Sequence, residues 1–190
     1  MEVLKYSKQS LEKAVEILNI GGVVIFPTDT VYGFLADAGN KKAVEKIYKI
    51  KKRPKSKPLA VFVKDLRMAK ELAEIDEKQE KILRKKWPGK YTFILKRKKG
   101  IKIYDKVKNT IALRIPKHKF LNSLLKKINK PLVQTSVNLS GEPVITKISD
   151  IMEKFATSDV AILMVDGGNL KKSRSSIILD LTSAKIKKLR

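Results

Sequence analysis

The chain has 190 residues, no cysteine and a single histidine, and its 43 Lys plus Arg against 19 Asp plus Glu give a formal net charge of +24. These counts exclude thiolate nucleophiles, cysteine-based zinc sites and metal motifs that need two histidines. So large an excess of positive charge predicts polyanionic partners, either nucleic acid or nucleotide phosphates. Alternatively, a lysine-rich face can serve only to solvate the protein.

At this length, with 43% apolar residues, we expect one domain over residues 1–190. The longest apolar run, residues 20–26, is far shorter than the ~18 residues that span a bilayer. The first five residues lack the charged-then-apolar layout of a signal peptide. We therefore expect a soluble, cytoplasmic protein with no membrane partner.

Apolar periodicity and turn residues predict helices that alternate with strands. Asn40, Asp65 and Ser149 are the predicted N-caps of three helices. Other helices are predicted over 11–18, 78–86 and 120–128, and strands over 23–26, 59–63, 91–95, 111–115, 132–135, 161–165, 177–181 and 186–189. The alternation favours a layered α/β domain, and the consecutive strands at the end favour a mixed sheet over a fully parallel one.

The segment 27–33, Pro-Thr-Asp-Thr-Val-Tyr-Gly, directly follows the first predicted strand. Ligands of α/β folds bind at strand ends, where Thr28, Asp29 and Thr30 would supply hydroxyl and carboxylate groups. The same residue types favour a plain turn. The spacing alone leaves both interpretations open.

A second polar segment, 51–58, places Lys51, Arg53 and Lys57 between a helix and a strand. Its two prolines fix φ and limit the entropy that long cationic side chains lose on binding. Arg as a bidentate fork and Lys as a point charge suit a triphosphate. A solvated basic loop is the alternative, and it is a strong one in so basic a chain.

Two further segments introduce small polar residues at strand ends. In 134–141, strand alternation places Ser136 and Asn138 on one face, so that both can address one ligand, although turn chemistry is the alternative. In 174–176, Arg174 and two serines offer a cation and hydroxyls at the start of a strand. No glycine pattern matches a Walker P-loop or a Rossmann fingerprint, so a nucleotide site must be of another kind.

In their order and spacing, these segments resemble the YrdC-like family of L-threonylcarbamoyladenylate synthases. The most specific parts are residues 26–33, the Lys-x-Arg pair Lys51 and Arg53, and the Ser-x-Asn pair Ser136 and Asn138. The resemblance covers nearly the whole chain and implies an α/β fold, a YrdC-like twisted mixed β-sheet with flanking helices around a large basic cavity. It implies a nucleotidyltransferase that forms threonylcarbamoyl-AMP and pyrophosphate from L-threonine, bicarbonate or CO2 and ATP, for threonylcarbamoyladenosine modification of tRNA.

The resemblance also assigns residues to each substrate. The implied threonine contacts are Thr30, Tyr32, Arg114, Ser136 and Ser176. The implied ATP contacts are Lys51, Arg53, Lys57, Thr110, Asn138, Thr146 and Arg190. Lys51 and Arg53 are expected to carry catalysis by neutralising charge on the leaving pyrophosphate, and Arg114 suits the threonine carboxylate. Family members often carry His where this chain has Phe62, and we expect that change to remove one threonine contact.

Magnesium is the implied cofactor, carried with ATP on its phosphates, so no metal site of protein side chains is expected. The implied partners are ATP, L-threonine, bicarbonate, weakly bound tRNA or double-stranded RNA, and the downstream threonylcarbamoyl-transfer machinery. Two alternatives stay open: a non-catalytic RNA-binding protein of the same fold, and a carbamoyl-transfer domain similar to those of hydrogenase-maturation proteins. The full set of threonine-site residues favours the synthase.

Overall fold

Six helices and eleven strands are present in the residues that the computed structural model describes, which are 1–104, 109–158, 160–171, 173, 175–183 and 185–190. The helices are α1 (Lys8–Asn19), α2 (Lys41–Ile50), α3 (Leu66–Leu72), α4 (Glu77–Lys86), α5 (Lys119–Ile128) and α6 (Ile148–Phe155). The strands are β1 (Glu2–Lys5), β2 (Val23–Phe26), β3 (Gly33–Asp37), β4 (Ala60–Phe62), β5 (Ala73–Glu74), β6 (Tyr91–Arg97), β7 (Thr110–Arg114), β8 (Leu132–Ser136), β9 (Ile162–Asp166), β10 (Ile177–Asp180) and β11 (Lys187–Lys188).

These strands form one sheet in the order β1-β9-β2-β3-β8-β4-β7-β6-β10-β11, with β5 paired to β6 outside that path. The pairs β1 with β9, β9 with β2, β4 with β7 and β6 with β10 are parallel. The other pairs are antiparallel. The mixed α/β sheet expected from the sequence is confirmed.

Helices cover both faces of the sheet, and strand β2 shows how. Val24 and Phe26 pack with apolar side chains of α1 and α5 on one face. Val23 and Ile25 belong to the core on the other face, with side chains of α2, α3, α4 and α6. Burial on both sides explains why β2 is an unbroken apolar run instead of an alternating one.

Two of the three predicted N-caps are confirmed. The side chains of Asn40 and Asp65 each accept a hydrogen bond from a backbone nitrogen in the first turn of their helices. Ser149 is wrong as a cap, because α6 begins one residue earlier and Asn169 accepts the hydrogen bond of Ile148 N from 21 positions away. No helix in the described part of the chain is both long and apolar enough to cross a membrane.

Strands β1, β3 and β5 are missing from the sequence prediction, and β3 matters most for the site. It begins at Gly33, inside the segment that the sequence presents as a polar turn. Gly33 lies opposite Phe26 of β2 on one side and Ser136 of β8 on the other. This register brings the end of segment 27–33 beside the Ser-x-Asn pair in the middle of the sheet.

Candidate active site

The segment 27–33 forms a turn between β2 and β3 that is organised by one hydroxyl. Thr28 Oγ1 accepts hydrogen bonds from the backbone nitrogens of Thr30 (3.0 Å) and Val31 (3.3 Å) and donates one to Val31 O (2.7 Å). Thr30 Oγ1 lies 3.0 Å from Thr28 Oγ1. The two interpretations of this segment are therefore compatible, since the turn chemistry places Asp29 and Thr30 at the strand end.

Arg114, the last residue of β7, is a buried cation of the site. Its Nη2 donates to Asp29 Oδ1 over 2.6 Å and its Nε to Gly89 O over 3.1 Å, and the guanidinium lies 5.6 Å from the centre of the Phe62 ring. Asp29 Oδ2 accepts a hydrogen bond from Lys117 N. Burial lowers the pKa of Arg114 while Asp29 opposes that shift, and the group stays charged. Within the described residues Arg114 Nη1 makes no hydrogen bond, which leaves it for a ligand.

A pocket of about 180 Å³ lies beside this ion pair. It is lined by Thr30, Val31, Arg53, Pro58, Leu59, Ala60, Arg114, Gln134, Thr135, Ser136, Ser175, Ser176, Ile178 and Arg190. Among these described residues three are arginines and none is acidic, so the pocket has the positive charge that the resemblance implies. The structure thus brings together predicted residues that are as far apart in sequence as Thr30 and Arg190.

Lys51 follows α2 directly, and its side chain is buried behind the pocket wall. Its Nζ donates to Ser136 O (2.6 Å), Asn138 O (2.7 Å) and Asn138 Oδ1 (2.8 Å). The alternative of a solvated basic loop therefore does not hold for Lys51, because Lys51 lies one turn after Ile47 on the buried face of α2. Burial, with a smaller effect of nearby Arg53, lowers the pKa of Lys51 to about 7.

The Ser-x-Asn pair lies where the strand alternation predicts, with both side chains in contact. Ser136 Oγ donates to Asn138 Oδ1 over 2.7 Å, and Asn138 Nδ2 donates to Glu142 O over 2.6 Å. Ser136 lines the pocket, whereas Asn138 is buried next to it. The Lys-x-Arg and Ser-x-Asn pairs are therefore joined through Lys51.

Two further arginines lie at the pocket. Arg53 is half-buried, and its guanidinium donates to the carbonyls of Lys57 (3.1 Å) and Pro58 (2.9 Å). Arg190 Nε donates to Ser176 O over 3.1 Å, and its Nη2 lies 3.4 Å from Ser176 Oγ. The Ser176 hydroxyl is 2.9 Å from Thr92 Oγ1. Both arginines are tied by protein oxygens on one side and border the pocket on the other.

Several residues that the resemblance assigns do not line this pocket: Tyr32, Lys51, Lys57, Thr110, Asn138 and Thr146. The Tyr32 hydroxyl donates to Gly168 O (2.7 Å) and accepts from Gly167 N (2.9 Å), and burial raises its pKa, so it holds the fold together at this point. Thr110 shares a face of β7 with Arg114, but four residues along a strand separate them by ~13 Å. The ligand contacts of these six residues stay predictions.

Sequence reasoning gave Asp29 only a general role as a carboxylate at the strand end, and it gave Thr92 no role. Asp29 holds Arg114, and Thr92 contacts Ser176. A carboxylate directly after a buried strand of so basic a chain is the signal that could have identified Asp29. Arg174 lies outside the described residues, whereas its neighbour Ser175 lines the pocket.

Comparisons with known proteins identify a family that this chain resembles along most of its length. The family model of Sua5, YciO and YrdC proteins, described as "Telomere recombination", matches residues 16–190. A provisionally named threonylcarbamoyl-AMP synthase of Methanocaldococcus jannaschii is 39% identical over 176 residues, covering 92% of this chain and 81% of the relative. The threonylcarbamoyl-AMP synthase of Pyrococcus abyssi is 32% identical over 171 residues, covering 89% of this chain and 50% of the relative.

The crystal structure of P. abyssi Sua5 complexed with L-threonine superposes on this chain with a TM-score of 0.89 at 28% identity. The superposition covers 100% of this chain and 56% of that one. This chain therefore spans about half the length of the P. abyssi relative. Since the family model matches all but the first 15 residues, the chain belongs to the Sua5, YciO and YrdC family.

Proposed function

We propose that this chain forms threonylcarbamoyl-AMP and pyrophosphate from L-threonine, bicarbonate or CO2, and ATP. The observation that carries the proposal is the buried Arg114, held by Asp29 at the wall of a basic pocket with Nη1 left for a ligand. A guanidinium fixed in this way suits a carboxylate, which it can bind with charge-assisted hydrogen bonds. The relatives named as threonylcarbamoyl-AMP synthases support the same activity.

Threonine is the substrate that the pocket side chains suit. Its carboxylate would accept from Arg114, and the hydroxyls of Thr30, Ser136 and Ser176 offer partners for its amine and hydroxyl groups. Val31 and Leu59 supply apolar surface for its methyl group. The P. abyssi Sua5 structure with bound L-threonine supports this assignment.

Two steps connect the substrates to the product. The neutral amine of threonine attacks the carbon of CO2, loses a proton and becomes a carbamate. A carbamate oxygen then attacks the α-phosphorus of ATP, the bond from that phosphorus to the bridging oxygen breaks, and pyrophosphate leaves with both electrons. The protein has to align two anions and neutralise the leaving charge, which suits Arg53 and Arg190 at the pocket.

Magnesium would bind through the phosphates of ATP and share their charge. Both oxygens of Asp29 already accept hydrogen bonds from the protein. No group of three or more His, Asp or Glu side chains suited to a metal occurs among the described residues. We propose that the ion is held by phosphate oxygens and water, as is usual for magnesium with nucleotides.

The decisive experiment is an incubation with ATP, threonine and ¹⁴C-bicarbonate. Pyrophosphate release should require both threonine and bicarbonate, because the nucleophile forms only from the two together, and the label should enter an adenylate. Equal release with either one omitted would show ordinary ATP hydrolysis and refute the proposal. The same assay separates it from a carbamoyl-transfer domain, whose reaction would not require threonine.

The partners of the product follow from its chemistry and are part of the proposal. We propose that threonylcarbamoyl-AMP is passed to an enzyme that transfers the group to tRNA, and that both steps occur in the cytoplasm. The high positive charge supports weak RNA binding beside catalysis. A purely RNA-binding role is not favoured, because it leaves the buried Arg114 and the basic pocket beside it without a purpose.

A further inference from the structure

Four hydrogen bonds connect Lys51 to one short segment, residues 136–140. Three come from the ammonium, to Ser136 O, Asn138 O and Asn138 Oδ1, over 2.6 to 2.8 Å. The fourth runs the other way, from Ser140 N to the Lys51 carbonyl over 2.9 Å. No other side chain in the described part of the chain is joined to this segment by as many hydrogen bonds.

The 136–140 segment needs such support because it leaves the sheet. Strand β8 ends at Ser136, whose last ladder partner is Gly33. Beyond that point its backbone is held by hydrogen bonds from Val137 N to Tyr32 O (2.9 Å), from Ile145 N to Val137 O (3.2 Å) and from Glu142 N to Leu139 O (3.1 Å), and by Lys51. Lys51 therefore helps to decide where the wall of the pocket lies and how the Ser136 and Asn138 side chains meet.

The chemistry of the ammonium explains why this position is a lysine. An ammonium has three N–H donors and no acceptor, and three protein oxygens use all of them. Within the described residues no carboxylate is among its partners, so the buried charge depends on those hydrogen bonds. None of the three donors remains for a phosphate, and Lys51 does not line the pocket.

We propose that Lys51 is a positioning residue, which holds the 136–140 segment so that Ser136 faces the pocket with Asn138 packed behind it, and that Lys51 does not touch the triphosphate. The kinetic part of this inference rests on the proposed function. Its structural part, the support of the 136–140 segment by Lys51, does not depend on that function.

The structural test compares hydrogen exchange in Lys51→Met with that in Lys52→Met. Lys52 is the exposed neighbour and serves as the matched control. We expect the amides of Ser140 and the rest of the segment to exchange at least tenfold faster in Lys51→Met, with β3 unchanged, and to stay protected in Lys52→Met. Unchanged protection of the segment in Lys51→Met would overturn the inference whether or not the protein makes the adenylate.

A chemical rescue keeps the inference testable if Lys51→Met does not fold. The chain has no cysteine, so Lys51→Cys introduces a single thiol. Alkylation in denaturant with 2-bromoethylamine, followed by refolding, rebuilds an ammonium of about the same reach, whereas iodoethane gives the same side chain without the nitrogen. The aminoethyl form should regain slow exchange of the segment and the ethyl form should not. Equal exchange in the two forms would contradict the role of the ammonium.

The kinetic test is a double-mutant cycle on adenylate synthesis. If Lys51 acts through the segment, the double variant Lys51→Met with Asn138→Ala should synthesise the adenylate at a rate within about threefold of the slower single variant. The losses of Lys51→Met and Arg53→Ala should multiply, because Arg53 acts at the pocket by itself. Multiplying losses in the first cycle would place Lys51 on the substrate and refute the inference. If the wild-type chain makes no adenylate, the proposed function fails and the exchange experiments alone decide the role of Lys51.

Discussion

Arg114 Nη2 and Asp29 Oδ1 lie 2.6 Å apart, and the two side chains are only 2% and 6% exposed. At that depth each charge depends on the other, because an ion without its partner in a buried site is strongly destabilising. Asp29 also accepts from Lys117 N, so the carboxylate is itself held in place. The pair fixes a guanidinium at the pocket before any substrate arrives.

Asp29→Asn should therefore weaken both threonine binding and the fold. The amide keeps the shape but leaves Arg114 without its counter-ion, and breaking a buried pair costs about 3–5 kcal/mol. We expect a loss of this order in the free energy of unfolding by urea, and a Kd for threonine raised about tenfold or more by calorimetry. Glu153→Gln, a change to an exposed carboxylate of α6, is the control and should alter neither quantity. Equal effects in the two variants would show that Asp29 has no special role.

Arg53→Ala should reduce adenylate synthesis without unfolding the protein. A lost charge-assisted contact to the phosphates costs on the order of 2–4 kcal/mol in the transition state, or roughly 30- to 1,000-fold in rate. The fold should persist because the hydrogen-bond partners of Arg53 are carbonyls of its own loop. Arg53→Lys should stay impaired, since an ammonium lacks the bidentate fork. Lys98→Ala, outside the site, is the control, and an equal loss there would mean that only bulk charge matters.

Serine should be a poorer substrate than threonine. It lacks the methyl group that Val31 and Leu59 are placed to contact, and one missing methyl forfeits about 1 kcal/mol or somewhat more. We expect kcat/KM for serine to be lower by about fivefold to tenfold in the pyrophosphate-release assay. Equal kcat/KM values for serine and threonine would show that the pocket does not recognise the methyl group.

The pKa of Lys51 predicts a specific dependence of stability on pH. Burial, helped by the charge of Arg53, lowers it in the folded state from 10.5 to about 7. Between these values the unfolded chain binds more protons, so this term raises the free energy of unfolding as pH rises above 7, by up to about 1.4 kcal/mol per pH unit. Below pH 7 the ammonium is charged in both states, so Lys51 adds no pH dependence to the free energy of unfolding. Urea unfolding of wild type and Lys51→Met should show a difference that grows between pH 7 and about pH 9. A constant difference would rule out titration of Lys51 in the folded state.

RNA binding should be weak and should fall steeply with salt. The motivating observation is the net charge of +24, since phosphate contacts by Lys and Arg release counterions. Fluorescence anisotropy with tRNA and duplex RNA at low and moderate salt measures this slope. An affinity that ignored salt, or that followed RNA sequence strictly, would contradict an electrostatic origin. Arg53→Ala should keep RNA binding if the two activities use separate surfaces.

Local sequence determined the features of this protein that depend on near neighbours. Asn40 and Asp65 could be identified as N-caps because a cap bonds within one turn, and residues 23–26 as a buried strand because apolar runs need both faces covered. Strand alternation predicts that Ser136 and Asn138 share a face, and their side chains do meet, although Asn138 lies two residues beyond the end of β8. Since these relationships span two or three residues, periodicity is enough to find them.

Only the tertiary structure decided which distant groups meet. Asp29 reaches Arg114 across 85 positions, and Lys51 reaches Asn138 across 87. From the sequence, the charge of Lys51 suits a triphosphate. In the fold its side chain is buried, because the buried face of α2 continues through Lys51. Periodicity reports which face of an element is buried, but the partner of a buried charge is set by how the whole chain packs.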